Sequence, residues 1–448
     1  MFRTVLVANR GEIARRIVRA CRRLGLKTVA VYSEADRGAL HAREADAAVE
    51  IGPAPARESY LSAERILAAA RAAGADAVHP GYGFLSEDWR FAAACVEAGL
   101  TFVGPSVEAI RAMGDKTEAR RLMAAAGVPI VPGTPGPVAD ADAARAAAET
   151  VGFPLILKAA GGGGGIGMAR VARSEDLAAA FATATRRAEA AFGNGALYLE
   201  RFLERPRHVE VQVFGDAHGT LVHLHERECS LQRRHQKIVE EAPAPGLAPR
   251  VKRGLCEAAV AGARAIGYAN AGTLEFLLDA EDRFYFLEMN TRLQVEHPVT
   301  EETTGLDLVA EQLRVAAGER LAWRQEEIVQ RGAAVECRVY AEDPARSFLP
   351  SPGTVTRLEL PAGEGIRVDA GIEAGSVVSV HYDPLLFKLV ARGASRREAL
   401  DRLDAALSAC VVEGVRTTVP FLRRVVAHPE VRAGRVHTQM VEQGAFNG

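Results

Sequence analysis

The chain has 448 residues, 48% of them hydrophobic and 25% charged, with a formal net charge of −2 at pH 7. That length is too great for one ordinary core and predicts two or three domains of a soluble globular kind. The near-neutral charge excludes a general attraction to nucleic acid or anionic membranes, and no apolar run reaches the roughly 18 residues that span a bilayer. Six dispersed cysteines without a C-x-x-C pair read as buried thiols of a reducing compartment, and the opening MFRTVLVANRGE lacks a signal-peptide pattern. A cytoplasmic location is expected. Only six of the 55 basic residues are lysine. Codon bias explains this, and under it a retained lysine marks a place where a compact ammonium is hard to replace by guanidinium.

Residues 3–8 read as a buried strand, 12–24 as an amphipathic helix stopped by Gly25, and 28–32 as a second strand. A helix near 62–73, a strand at 76–79, a helix through 91–98 and a strand at 101–103 continue the alternation. Repeated strand–helix–strand units predict a doubly wound parallel sheet. Its first turn is Asn9-Arg10-Gly11-Glu12 rather than G-x-G-x-x-G, which argues against a nicotinamide dinucleotide site. The loop from Pro80 to Glu87 follows a strand end, where open α/β sheets hold ligands, although a rigid turn fits equally. A Pro/Gly-rich stretch at 128–137 marks a boundary. After about Arg331 the chain is again strand-rich and reads as a C-terminal domain closed by a helix at 396–409.

Five consecutive glycines, 161–165, come directly after a strand ending near Lys158. The backbone N–H groups of Gly163, Gly164 and Gly165 could cradle phosphates, and a plain linker would have the same composition. Lys158 favours the phosphate reading, because it meets the same anion as a point charge. The run is not a P-loop, since no Gly-Lys-Ser/Thr follows.

Residues 273–290 form two apolar strands flanking the polar turn 280–283, which is a hairpin pattern. Pairing Asp279 with Phe284 sets Glu275 opposite Glu288. Facing like charges destabilise a ladder, and a divalent cation between them removes the conflict. Asn290 on the same face adds a third oxygen, a donor set suited to Mg²⁺ or Mn²⁺. If 288–297 stays extended, Glu288, Asn290, Arg292, Gln294 and Glu296 share one face, while Met289, Leu293 and Val295 point to the core. Arg292 can then hold a small anion and Glu296 can accept its proton. The run from Glu226 to Lys237 is dense in charge and, on its own, reads as a solvated face.

These stretches, with ANRGEIA (8–14), HPGYGFLSE (79–87), RHVEVQVFGD (207–216), ERECSLQRRHQKIVEEAPAP (226–245), FLEMNTRLQVEHPVTE (286–301) and ECRVYAEDP (336–344), span the chain in one order. Together they resemble the biotin carboxylases, the ATP-grasp component of acetyl-CoA, propionyl-CoA and related carboxylases. The resemblance implies an N-terminal doubly wound domain (1–113), a central ATP-grasp domain (114–330) with a lid at 131–203, and a C-terminal strand-rich domain (331–448). It implies that Lys116 and Lys158 bind ATP phosphates, that Glu200, Arg201 and Leu203 hold the adenine, and that His208, Gln232 and His235 line the nucleotide site. Glu275, Glu288 and Asn290 would take the metals. Lys237, Arg292, Gln294 and the backbone of Val295 would bind bicarbonate, Glu296 would remove its proton, and Arg338 would stabilise the biotin enolate. A biotin carboxyl carrier protein, carboxyltransferase subunits and a second copy of the chain are the implied partners.

Two positions depart from the family pattern: Ile166 replaces a common Arg or Lys, and Phe387 stands where a small residue is usual. Biotin-accepting domains resemble one another in a Met-Lys pair, and no methionine here precedes a lysine; biotin is expected on a separate carrier. Two rival readings are an ATP-grasp ligase joining a carboxylate to an amine and a non-catalytic nucleotide-binding regulator. The first gives no reason for Arg292, Glu296 and Arg338, and the second should have lost a metal ligand or the base.

Overall fold

The structure, a computed structural model, describes residues 2–161 and 168–447. It opens with strands β1 (Thr4–Val7), β2 (Lys27–Tyr32), β3 (Ala47–Glu50), β4 (Ala77–His79) and β5 (Thr101–Phe102). They form a parallel sheet in the order β3-β2-β1-β4-β5. Strand order reverses between β1 and β4, so the loops after these two strands meet at a switch point. Asn9 laces them together, donating from Nδ2 to the carbonyls of Pro80 (2.7 Å) and Tyr82 (2.8 Å). Helix α1 (Gly11–Arg23) starts there, with Gly11 at φ 65°, and buries Ile13, Ile17 and Val18 against the sheet. The strands with apolar runs lie within a residue or two of their expected bounds. β3 is absent from the sequence reading because, as an edge strand, it is mostly exposed and carries no apolar run.

Helix α2 (Lys116–Ala125) leads into the Pro/Gly-rich stretch. Beyond it lie helix α3 (Ala141–Val151), strands β6 (Leu155–Ala159) and β7 (Ala169–Val171), helix α4 (Leu177–Phe192) and strand β8 (Leu197–Arg201). They form a small antiparallel sheet, β7-β6-β8, with a core of its own around Leu155, Leu157, Phe181 and Leu199. The stretch before it crosses β8 at contact distance. A Cβ on Gly133 would lie 2.3 Å from the Leu199 carbonyl oxygen, so only glycine fits there.

Besides three small two-stranded sheets, the rest of the chain builds an eight-stranded antiparallel one. Its strands are β9 (Arg207–Gly215), β10 (Leu221–Arg233), β11 (Gln236–Ala242), β12 (Asn270–Leu278), β13 (Phe284–Asn290), β14 (Ala333–Tyr340), β15 (Ile366–Ala370) and β16 (Leu385–Gly393). Their order is β13-β12-β9-β10-β11-β14-β16-β15. The C-terminal part is strand-rich, as expected, and joins the central sheet edge to edge where β14 pairs with β11. Helices α5 (Pro249–Ala265), α6 (His297–Thr304) and α7 (Arg396–Ala409) cover this sheet. Phe387, fully buried on β16 opposite Val339 and Ala370, is a core residue of the C-terminal part. Among the described residues no helix is long and apolar enough to cross a membrane.

Candidate active site

A row of ionisable side chains crosses four adjacent strands. Glu288 on β13 faces Glu275 on β12, Glu275 faces Glu210 on β9, and Glu210 faces Arg227 on β10. The facing glutamates 275 and 288 match the sequence reading, but the hairpin reaches them differently. Leu278, not Asp279, pairs with Phe284, which makes the loop one residue longer than expected. A bulge between Glu275 and Phe276 then restores the offset, with Leu287 as the extra residue on β13. The bulge turns both Leu287 and Glu288 toward the cleft.

The two carboxylates differ sharply. Glu275 Oε1 accepts from Lys237 Nζ (2.8 Å), Asn290 Nδ2 (2.7 Å) and Gln294 Nε2 (2.9 Å), and Oε2 lies 3.0 Å from His208 Nε2. Burial pushes its pKa up, but Lys237 and His208 hold it well below the usual carboxylate range. Glu288 is 43% exposed to the cleft, and its nearest cation, Lys116 Nζ, is 4.0 Å away. Desolvation and repulsion from Glu275 raise its pKa. Two carboxylates and the Asn290 amide oxygen are hard donors at one mouth, which fits a divalent ion such as Mg²⁺ or Mn²⁺.

Deeper in the cleft, Lys237 on β11 donates to Glu210 (2.6 Å), Glu275 (2.8 Å) and Glu296 (2.6 Å). Arg338 on β14 donates to Glu240 (2.6 Å) and to the other Glu296 oxygen (2.9 Å). Glu296 is therefore fully buried yet clamped between two cations. Burial pushes it up, but Lys237, Arg338 and Arg227 outweigh that and keep its pKa well below the carboxylate range. Glu240 lacks such a surplus of cations, and burial raises it to about 7 in spite of Arg338. Residues 226–232 and Lys237 of the charge run are thus interior, and only the turn at 233–236 meets solvent. Arg227 is fully buried, donating to Glu210 (2.6 Å), Gln212 (2.8 Å) and Thr300 (3.0 Å).

The segment after β13 does not stay extended. The strand ends at Asn290, and Glu296 reaches Lys237 and Arg338 from a turn that enters helix α6. The alternation survives as far as Gln294. Arg292 donates to Asn290 Oδ1 (2.8 Å), Gln294 Oε1 (2.9 Å) and Glu87 (2.8 Å), so the loop from Pro80 to Glu87 braces it. Val295 lines the cleft instead of the core, and its carbonyl accepts from the buried Lys388 (2.8 Å).

Lys237, Glu275, Glu288, Asn290, Arg292, Gln294, Val295 and Arg338 open on one cavity of about 470 Å³, which Lys116, Lys158, His208, Gln232 and His235 also line, and Glu296 lies buried behind Lys237 and Arg338. A neighbouring cavity of about 310 Å³ runs between the small sheet and β10, bounded by Ile156, residues 200–203 and the C-terminal Thr438. There Lys158 and Arg120 both pair with Glu200. A third cavity, about 340 Å³, shares Arg292, Val295 and Arg338 with the first and is walled by Tyr82 and Tyr382. The glycines 163–165 and Ile166 lie outside the described residues.

Three family signatures cover the chain: "Biotin carboxylase, N-terminal domain" over residues 1–110, "Carbamoyl-phosphate synthase L chain, ATP binding domain" over 115–324, and "Biotin carboxylase C-terminal domain" over 336–443. The chain is 52% identical to the biotin carboxylase of Halalkalibacterium halodurans, over 98% of its own length and 97% of that protein's. It belongs to the biotin carboxylase family. It is also 52% identical to the mitochondrial methylcrotonoyl-CoA carboxylase subunit alpha of Arabidopsis thaliana, over 98% of this chain and 60% of that one. Among solved structures, the biotin carboxylase domain dimer of Hydrogenobacter thermophilus 2-oxoglutarate carboxylase, in complex with MgADP, ADP and bicarbonate, matches with a TM-score of 0.95. The two are 45% identical over 100% of this chain and 99% of that one.

As a biotin carboxylase the chain is an ATP-dependent ligase, and several residues around its cleft escaped the sequence reading. Glu210 is the plainest. The alternation His208-Val-Glu-Val-Gln212, with Val209 and Val211 in the core, already placed it on the face of His208. Arg120, Glu240 and Lys388 carried no such signal, because their partners are distant in sequence.

Proposed function

We propose that this biotin carboxylase transfers a carboxyl group from bicarbonate to biotin on a separate carrier protein, with cleavage of ATP to ADP. The observation that carries the reading is Glu296, buried and ionised between Lys237 and Arg338, both of which line the cavity that holds the carboxylate pair. Arg292, Gln294, Lys237 and the Val295 backbone hold bicarbonate, and Glu296 takes its O–H proton. A carbonate oxygen then attacks the γ-phosphorus, the bond to the β-bridging oxygen breaks, and ADP leaves with carboxyphosphate formed. Carboxyphosphate breaks into CO₂ and phosphate, the phosphate removes the ureido N–H proton, and that nitrogen adds to CO₂. Arg338 steadies the charge on the ureido oxygen.

Lys116 and Lys158 neutralise phosphate oxygens, residues 200–203 grip the adenine, and His208, Gln232 and His235 complete that wall. Glu275, Glu288 and Asn290 would hold Mg²⁺ or Mn²⁺, which supplies charge neutralisation at the transferring phosphoryl group. The units are 1–113, 114–330 with its lid at 131–203, and 331–448. Closure of the lid excludes water from carboxyphosphate. The assembly is a cytosolic homodimer serving a carrier protein and carboxyltransferase subunits.

The reaction is the first half of an acyl-CoA carboxylase of the acetyl-CoA type. That acceptor rests on the resemblance alone, since the relatives' names also include methylcrotonoyl-CoA and pyruvate carboxylases. Reconstitution with carboxyltransferase subunits and acetyl-CoA, 3-methylcrotonoyl-CoA, pyruvate or urea separates the acceptors. For the chain itself, ADP release should require bicarbonate and rise with free biotin. Release at the same rate without bicarbonate overturns the reading in favour of another ATP-grasp ligase. Intact-mass spectrometry of the purified chain should show no covalent biotin, and a biotinylated species refutes the separate carrier.

A further inference from the structure

Away from the catalytic cleft, two imidazoles and a thiol converge where the first residues of β10 pack on helix α5. One ligand atom each of His223, His225 and Cys256 lie within 4.8 Å of one another. The backbone arranges this convergence. The β9–β10 register shifts between His223 and Glu226, and His225 sits at φ 65° inside the irregularity. Histidine is among the few side chains that accept such a conformation. Both rings then lie together, with centroids 5.1 Å apart, beside Cys256 on the buried side of α5.

The hydrogen bonding sets the chemistry of the rings. His225 Nε2 lies 2.9 Å from the Ile328 carbonyl oxygen, which can only accept. Its proton is therefore on Nε2, and Nδ1 carries a free lone pair. An imidazole whose other nitrogen donates to a carbonyl is the usual support for a metal-binding histidine. The charges alongside balance, because Lys252 Nζ is 3.1 Å from Glu226 Oε2.

We infer that His223, His225 and Cys256 form a structural site for a zinc-type divalent ion, tying the start of β10 to helix α5. Two nitrogens and a sulfur are borderline donors that suit Zn²⁺ and not the hard ion of the carboxylate pair. Metal–ligand bonds of about 2.0–2.3 Å require donor atoms about 3.3–3.6 Å apart. Both histidines are half-buried, so small ring rotations close the remaining gap, releasing the long 3.4 Å contact from the His225 N–H to His223 Nδ1. Cys256 binds as the thiolate, its proton passing to solvent.

Cobalt(II) reads the site directly, since a thiolate ligand gives a near-ultraviolet charge-transfer band. Full-length, chelator-stripped protein titrated with Co²⁺ should develop that band at one equivalent and lose it when Zn²⁺ is added. Cys256→Ser should abolish the band. Cys229→Ser, which alters the cysteine beside the catalytic carboxylates, should retain it. His225→Gly suits the positive φ, so the fold should survive while Co²⁺ affinity falls at least about tenfold. Zn²⁺ should raise the melting temperature of the wild type and leave that of Cys256→Ser unchanged. No thiolate band in the wild type, or a band that persists in Cys256→Ser, overturns the inference.

Discussion

Glu296→Gln should lower turnover at least ~100-fold, the scale of a lost general base, while nucleotide affinity changes little. The substitution keeps the shape and removes the carboxylate held ionised between Lys237 and Arg338. Lys237 retains Glu210 and Glu275, and Arg338 retains Glu240, so neither cation is left without a partner. The direction of the Glu296 shift adds a second readout. Its folded pKa is depressed, so in the wild type it is an ionised acceptor throughout the neutral range, and its stabilising contribution disappears only as pH falls through that low value. The defect of the variant should therefore be the same at every pH across neutrality. Steady-state ADP release with equilibrium nucleotide binding measures both. Turnover near that of the wild type removes Glu296 from the role of base.

Glu288→Gln should weaken Mg²⁺-ATP binding at least about tenfold, or about 1.4 kcal/mol, without destabilising the metal-free protein. In Glu288 the shift runs the other way, because burial and the facing Glu275 raise its pKa. A carboxyl group with a raised folded pKa makes the protein less stable as pH climbs from the unfolded value through the folded one. Glutamine removes that penalty, so the melting temperature of the metal-free variant at neutral pH should equal or exceed the wild type's. Isothermal titration with Mg²⁺-ATP and thermal unfolding without it give the two numbers. Unchanged affinity means that the facing carboxylates are not the ligands of the metal.

The contrast between these two glutamates shows what could be read from the chain alone. Local periodicity determined the parallel N-terminal sheet, the hairpin and the shared face of Asn290, Arg292 and Gln294, because side-chain direction depends only on neighbours in sequence. Motifs in family order determined the family, and they marked Lys237, Glu296 and Arg338 as candidates that the structure brings into contact. The hairpin register came out right by cancellation: a loop one residue longer than expected is offset by the Leu287 bulge, and neither leaves a mark in the apolar pattern. Scarcity of lysine pointed the same way. Lys116, Lys158 and Lys237 line the cleft, and Lys388 is buried behind Val295, although nothing near it in sequence names a partner.

Tertiary structure alone decided which charges are buried, and with which partners. The run 226–237 has the composition of a solvated face; residues 226–232 are interior because β9 and β11 flank β10 on both sides. Glu296 is held ionised, and the pKa of Glu288 is raised, for the same reason. A carboxylate's pKa is set by the cations and carboxylates brought within a few ångströms of it by strands far apart in the chain, and no spacing rule along the sequence contains that distance.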